Sequence, residues 1–173
     1  MPRVTFVGTS MDRKGGWRLL DIYRRRLRGT CELNLVTLDP VKPEPGVRVI
    51  GDLRPGDSRL VDLLAQTDVF AFPTEVDKSS YAVLEAMAAG VPVVTTDMAA
   101  LPELVGEGGL LVPPGDDEAL EEALVSLLED DTRRRRMGSA ARARVEERFD
   151  ARLTTSALIR VFDDACQRRM QPH

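Results

Sequence analysis

Short apolar runs alternate along this chain with longer stretches whose apolar positions recur every three or four residues. The first pattern marks strands and the second marks helices. Strands are predicted at Arg3–Val7, Glu32–Leu38, Val47–Ile50, Val69–Phe72, Pro92–Thr96 and Gly109–Val112. Val69–Phe72 and Pro92–Thr96 are the kind of short run that is covered on both faces of a sheet. Helices are predicted at Trp17–Leu27, where Leu19, Leu20, Tyr23 and Leu27 share one face, and at Asp57–Ala65, with Asp57 or Ser58 as N-cap. A third helix, Tyr81–Ala89, is apolar nearly all round. Three more close the chain: Asp117–Leu128, with an apolar stripe at 120, 123, 124, 127 and 128; the basic Thr132–Arg148; and Ala151–Arg169. The last is expected to bury Leu153, Ala157, Leu158, Val161 and Phe162. Asp39–Gly46, rich in Pro and Gly, reads as a loop.

Alternating strands and helices imply βαβ units. The expected class is therefore α/β, a Rossmann-like, doubly wound and mostly parallel sheet with flanking helices and a helical C-terminus. With 173 residues the chain is expected to form a single domain over 1–173. In open sheets of this kind, ligands bind beyond the C-terminal ends of the strands, near the point where strand order reverses. That directs attention to Gly8–Gly16, Gly51–Gly56, Pro73–Ser80 and Thr96–Leu101.

Composition narrows the chemistry. The formal net charge is -4, which leaves no basic footprint for nucleic acid or for an anionic membrane. The one histidine, His173, is the last residue, so no His-based triad or His-rich metal site is expected. The two cysteines, Cys31 and Cys166, fit no metal-ligand or redox spacing and are expected to be small buried residues in a reducing compartment. No apolar run reaches the roughly 20 residues that span a bilayer, and Val4–Val7 is too short for a signal-peptide core, so a cytoplasmic protein is expected, with a membrane touched only peripherally if at all. The run Arg133–Arg136 points around its helix beside Glu129, Asp130 and Asp131 and reads as a solvated face. Trp17 is expected in the core in preference to a sugar-stacking position, and Glu103 in the first turn of a helix, where the dipole favours an acid.

Two constellations carry candidate chemistry. Gly8-Thr9-Ser10-Met11-Asp12-Arg13-Lys14-Gly15-Gly16 follows the first strand. Its glycines allow close backbone approach, a helix N-terminus offers N–H groups to an anion, and Lys14 adds a compact charge suited to a diphosphate. A flexible turn with solvated charges is an equal reading of this segment alone. The second runs from Phe72 through Pro73-Thr74-Glu75-Val76-Asp77-Lys78-Ser79-Ser80 into the apolar helix and on to Gly90-Val91-Pro92-Val93-Val94. Glu85 is the lone charge in that helix, and a carboxylate there needs a hydrogen-bonding ligand such as the vicinal hydroxyls of a ribose, an internal pair with an Arg, or a solvent gap beside the helix. Ser79 and Ser80 fall in the cap region, where the amides of the first turn, through Tyr81, could hold a phosphate and the hydroxyls could cap the helix.

Asp77, seven residues, then Glu85-Ala86-Met87-Ala88-Ala89-Gly90-Val91-Pro92-Val93-Val94 resembles the hallmark of the family 4 glycosyltransferases. The opening Phe6-Val7-Gly8 with Arg13-Lys14-Gly15-Gly16, and the segment Leu101-Pro102-Glu103-Leu104-Val105 to Gly109–Asp116, are similar to the same family, so the resemblance covers essentially the whole chain. It implies one half of a GT-B fold, the half that binds a UDP-, GDP- or ADP-sugar, with the acceptor-binding N-terminal domain absent. By that resemblance Gly8, Thr9 and Lys14 would line the diphosphate, amides around Ser79–Tyr81 would bind phosphate, Glu85 would hold the ribose, Asp77 would contact donor-sugar hydroxyls, and the base would lie near Ile50–Arg54. Lys14 and Asp77 are the candidate catalytic residues, with no nucleophile assigned. Thr9 stands where the family usually has Arg, Asp77 where it usually has Glu, and Ser79-Ser80 where it has Phe-Gly; Arg13 or Arg18 could compensate for the missing cation.

The expected function is transfer of a hexose from a nucleotide-diphosphate sugar with retention of configuration, weak or absent in this chain alone. Preorganised cations and amides aimed at the leaving diphosphate would supply the main stabilisation. No paired acidic ligands argue for Mg²⁺, and no cofactor is expected. A GT-B nucleotide-sugar epimerase and a non-enzymatic nucleotide-binding or scaffold domain are the rival classes.

Overall fold

A computed structural model of the chain describes residues 1–53, 56–77 and 80–170, without the side chains of 157 and 163–170 in the last helix. Six strands, β1 (Arg3–Val7), β2 (Glu32–Val36), β3 (Val47–Ile50), β4 (Val69–Phe72), β5 (Val93–Thr96) and β6 (Gly109–Val112), form one sheet in the order β3-β2-β1-β4-β5-β6. Every named pairing is parallel, with Val4 opposite both Leu33 and Val69, and Phe70 opposite Val93. The order reverses between β1 and β4, the switch point of a doubly wound sheet. β4 and β5 are buried at every position, as their unbroken apolar runs foretold.

Among the described residues the sheet is accompanied by seven α-helices: α1 (Gly16–Ile22), α2 (Ser58–Ala65), α3 (Tyr81–Ala88), α4 (Leu101–Val105), α5 (Asp117–Glu129), α6 (Asp131–Arg148) and α7 (Ala151–Met170). α1 packs with α5, while α3 packs with α2, α4 and α6. The predicted stripes hold where they meet the sheet: Leu19, Leu20, Tyr23 and Leu27 are buried, as are Leu120, Leu124 and Leu127. The first of these helices is not α-helical throughout, since Tyr23–Leu27 widens into a π-turn. Asp57 caps α2 by accepting a hydrogen bond from the Arg59 amide at 2.9 Å. α4 is the short helix expected to start at Pro102 and Glu103. Pro102 lies at its start and Glu103 in its first turn.

Two expectations about packing fail, and a third holds in part. Leu153, Leu158, Val161 and Phe162 of α7 are all more than half exposed rather than buried, because nothing described packs over their stripe. Trp17 is 38% exposed and sits at the surface of α1, not in the core; position 17 lies beside, not within, the 19–20–23–27 stripe. Arg133–Arg136 does form no single basic face, but Arg134 is more than a solvated charge: its guanidinium donates to the carbonyls of Leu127 and Leu128 at 2.7 and 2.8 Å. It thereby satisfies carbonyls left open where α5 ends. Cys31 is buried as expected, its thiol raised to about 11 by burial. Among the described residues no helix is long and apolar enough to cross a membrane.

Candidate functional site

The turn after β1 and the loop after β4 leave neighbouring strand ends at the switch point, and four contacts fasten them together. Gly15 adopts φ 75°, and a Cβ there would fall 2.1 Å from the carbonyl oxygen of Pro73. Only glycine permits so close an approach in that backbone region. The Thr74 hydroxyl donates to the carbonyl of Arg13 at 3.2 Å. Arg18 pairs with Glu75, and the ammonium of Lys14 pairs with the carboxylate of Asp77. From the other side, Thr95 and Thr96 of β5 donate to the carbonyls of Phe72 and Thr74 at 2.7 and 2.6 Å. The loop after β4 is thus anchored by both strands that flank it.

Lys14 is seated from below. A Cβ on Gly8 would approach the Lys14 stem at 3.0 Å and the Phe6 ring at 2.8 Å, so the bare glycine makes room for that stem. The ammonium also stands 5.6 Å from the centroid of the buried Phe72 ring, within cation–π range. The side chains of Lys14 and Asp77 are only 19% and 15% exposed, so their attraction is screened far less than that of a surface pair. Asp77 is further placed by Thr74, whose hydroxyl accepts from the amides of Val76 and Asp77 at 3.3 and 3.2 Å. The sequence signals this local turn only as a Thr three residues before an Asp.

The amides divide differently from the expectation. In the first turn they are largely spent: the Gly8 amide donates to Val36 at 2.9 Å, that of Gly16 to Met11 at 2.7 Å, and that of Met11 to the Asp39 carboxylate at 2.7 Å. Gly8 therefore serves the site through its missing side chain rather than its N–H. At α3 the opposite holds. Ser80 is the N-cap, yet its hydroxyl makes no capping bond, contrary to one reading of that position. The first-turn amides of α3 thus have no side-chain cap among the described residues, and they carry the positive end of the helix dipole.

The remaining predicted residues are scattered in burial. Ser80 is buried, Tyr81 is 84% exposed, and Thr9 is exposed with no hydrogen bond among the described residues. Ser79, and Arg54 of the expected base region, lie outside the described residues. Glu85 is not the buried charge that its apolar helix suggested: it is exposed, one turn beyond Tyr81 on the same stripe, and has no polar partner among the described residues. Partial shielding by its apolar neighbours raises its carboxyl above the usual range. Of the two substitute cations, Arg18 is already held by Glu75 and Asp117, which overcome its desolvation and raise its pKa; Arg13 is exposed with no side-chain partner among the described residues. Among those residues no group of three or more His, Cys, Asp or Glu is placed to hold a metal ion.

The remaining region of the strand ends, around Ile50, Gly51, Asp52 and Leu53, borders a cleft of about 540 Å³ under α2, with Arg59, Asp62 and Gln66 on its far wall. Arg59 donates to Asp52 at 2.8 Å, which lowers the Asp52 carboxyl.

Known proteins share the family signature and the fold. A family profile described as "Glycosyl transferases group 1" matches residues 1–130. The chain is 34% identical over 159 residues to the MMP alpha-(1->4)-mannosyltransferase of Mycolicibacterium hassiacum, a match that covers 85% of this chain and 39% of that protein. It therefore spans well under half the length of that relative. Its fold superposes on a sucrose-phosphate synthase of Thermosynechococcus elongatus with a TM-score of 0.81 and 27% identity, covering 95% of this chain and 46% of that one. HepE of Anabaena, solved in complex with UDP-glucose, shares the fold at a TM-score of 0.80 and 21% identity, covering 94% of this chain and 48% of that one. With its motifs, its sheet order and three-quarters of its length in agreement with one family, the chain belongs to the group 1 glycosyl transferases and has the Rossmann-like fold of their GT-B architecture.

Proposed function

We propose that this chain is the donor-binding module of a retaining glycosyltransferase, which holds a nucleotide-diphosphate sugar at the β1/β4 switch point. One observation carries the reading. The Lys14 ammonium, with a single carboxylate partner among the described residues, stands where two tightly fastened turns converge, and the second of these turns leads into a helix that starts with no side-chain cap. An ammonium has three N–H donors, so Lys14 retains capacity for a second anion. A diphosphate placed there meets a fixed cation and dipole-bearing amides, the preorganised charge that stabilises a leaving group as the glycosidic bond breaks. Asp77 faces the same spot and is suited to accept hydrogen bonds from sugar hydroxyls, while Glu85, exposed and without a polar partner among the described residues, is suited to a ribose.

The acceptor, and any base that activates it, would belong to a second domain. On this reading the chain binds nucleoside diphosphate but transfers sugar slowly or not at all by itself. Calorimetry with UDP, GDP and ADP tests the first half: at least one binds. A chain that binds none of the three is a scaffold and not a donor module, and a chain that turns over a donor sugar at an ordinary enzymatic rate overturns the second half.

A further inference from the structure

We infer that Asp77 competes with the donor's diphosphate for Lys14, and so weakens the hold of this site on a bare nucleoside diphosphate relative to one that carries a sugar. The inference rests on the donor-site reading above and goes beyond it in assigning Asp77 a role opposed to phosphate binding. Three features of the pair support it. Lys14 and Asp77 touch each other and nothing else charged among the described residues, so any anion that engages the ammonium must share it with this carboxylate. Both side chains are mostly shielded from solvent, where repulsion between two anions on one cation is poorly screened. Asp77 is also unable to drift far, because its backbone is tied to the Thr74 hydroxyl and Thr74 itself is pinned to Arg13 and Thr96.

The neighbouring pair supplies the contrast. Glu75 comes from the same loop and Arg18 from the first turn of α1, but Arg18 is also bonded to Asp117 at 2.8 Å and Glu75 is 52% exposed. That pair fastens the loop and leaves no single cation for a phosphate to claim. The Lys14–Asp77 pair, in contrast, is a one-to-one contact at the convergence of the turns. When a sugar accompanies the diphosphate, its hydroxyls give the Asp77 carboxylate new donors in place of the ammonium. When the sugar has gone, the carboxylate returns to Lys14, its charged partner among the described residues, and helps displace the nucleotide. Asp77 thereby acts as a discriminator between donor and spent nucleotide.

Titration calorimetry of the chain with UDP, GDP and ADP decides the matter, read on whichever of the three binds. Asp77→Asn, close to isosteric, is expected to tighten that nucleotide about fivefold, the size of one modest charge–charge term. Asp77→Ser serves as a second variant should the first melt early. Glu75→Gln is expected to leave the affinity within about twofold, and in a Lys14→Ala background Asp77→Asn is expected to lose most of its effect, as a double-mutant cycle requires of a pair that interacts directly. Unchanged or weaker nucleotide binding by both Asp77 variants overturns the inference while the donor-site reading stands. An equal gain with and without Lys14 also overturns it, because the effect would then be a general field. If neither the parent chain nor any variant binds a nucleotide, the donor-site reading itself falls.

Discussion

The turn after β1 and the loop that joins β2 to β3 are built from the same parts. Each presses a left-handed glycine against a neighbour, Gly15 against the Pro73 carbonyl and Gly46 against the Tyr23 hydroxyl. Each also shields a carboxylate to almost the same degree, with Asp77 at 15% and Glu44 at 14% side-chain exposure. They differ in what is left over. Glu44 is filled from two sides by Arg24 and Arg28, and the adjoining Tyr23 hydroxyl donates to Pro45 at 3.3 Å, so the loop closes on itself. Lys14 has one charged partner among the described residues, stands where the turns after β1 and β4 meet, and the helix that follows the second of them starts without a side-chain cap. Shielding an ion pair does not make a binding site; donors left without partners at an opening in the fold do.

That contrast can be broken first at the glycines. Gly15→Ala would drive a methyl into backbone that cannot move aside and would force a side chain into the left-handed region, so a loss of about 3 kcal/mol or more in stability is expected from urea unfolding. Gly46→Ala meets only the end of the Tyr23 side chain, and a smaller loss of about 1–2 kcal/mol is expected. Equal losses would mean that the two turns are fastened alike. Next is Lys14→Ala, which separates binding from folding: nucleoside diphosphate affinity is expected to fall about tenfold or more, with a drop in thermal midpoint smaller than that of Gly15→Ala because the other three contacts still fasten the turns. A large drop in that midpoint with little change in affinity would make Lys14 a structural residue like Arg24.

The smallest effect is expected at Glu44, and it depends on pH. The hydrogen bond from Arg24, followed by that from Arg28, holds this carboxyl below its usual range. A depressed folded-state pKa stabilises the fold above the unfolded value of about 4.3, and the contribution is lost as pH falls through the lower folded value. Glu44→Gln should therefore cost about 1 kcal/mol near neutral pH, and the gap between parent and variant should close as the pH is brought below about 4, as followed by urea unfolding at each pH. A gap that persists in acid would place the cost in packing and not in charge.

Much of the fold was legible because its signals are local. All six strands were placed within two residues of their ends, and β4 and β5 were recognised as buried on both faces from composition alone. The site was legible in part. Lys14 and Asp77 were named from separate motifs 63 residues apart, and the fold brings their charges into contact. Gly15 against Pro73, Thr74 between two strands and the Arg18–Glu75 fastening were not read, since each joins residues distant in the chain through a hydroxyl, a missing Cβ or one charge among many. Glu85 and α7 show the converse. An apolar helix suggested burial for both the carboxylate and the leucines, but periodicity reports which positions share a face and not whether that face is covered.

The sequence by itself therefore determined the elements, their order and the residue types at the strand ends, because period, capping and turn chemistry act over a few residues. Only the tertiary structure decided which amides remain available and which cations are already taken. Hydrogen bonds and ion pairs are exclusive, and the claim of Val36 on the Gly8 amide or of Asp117 on Arg18 arises only once the strands and helices have packed.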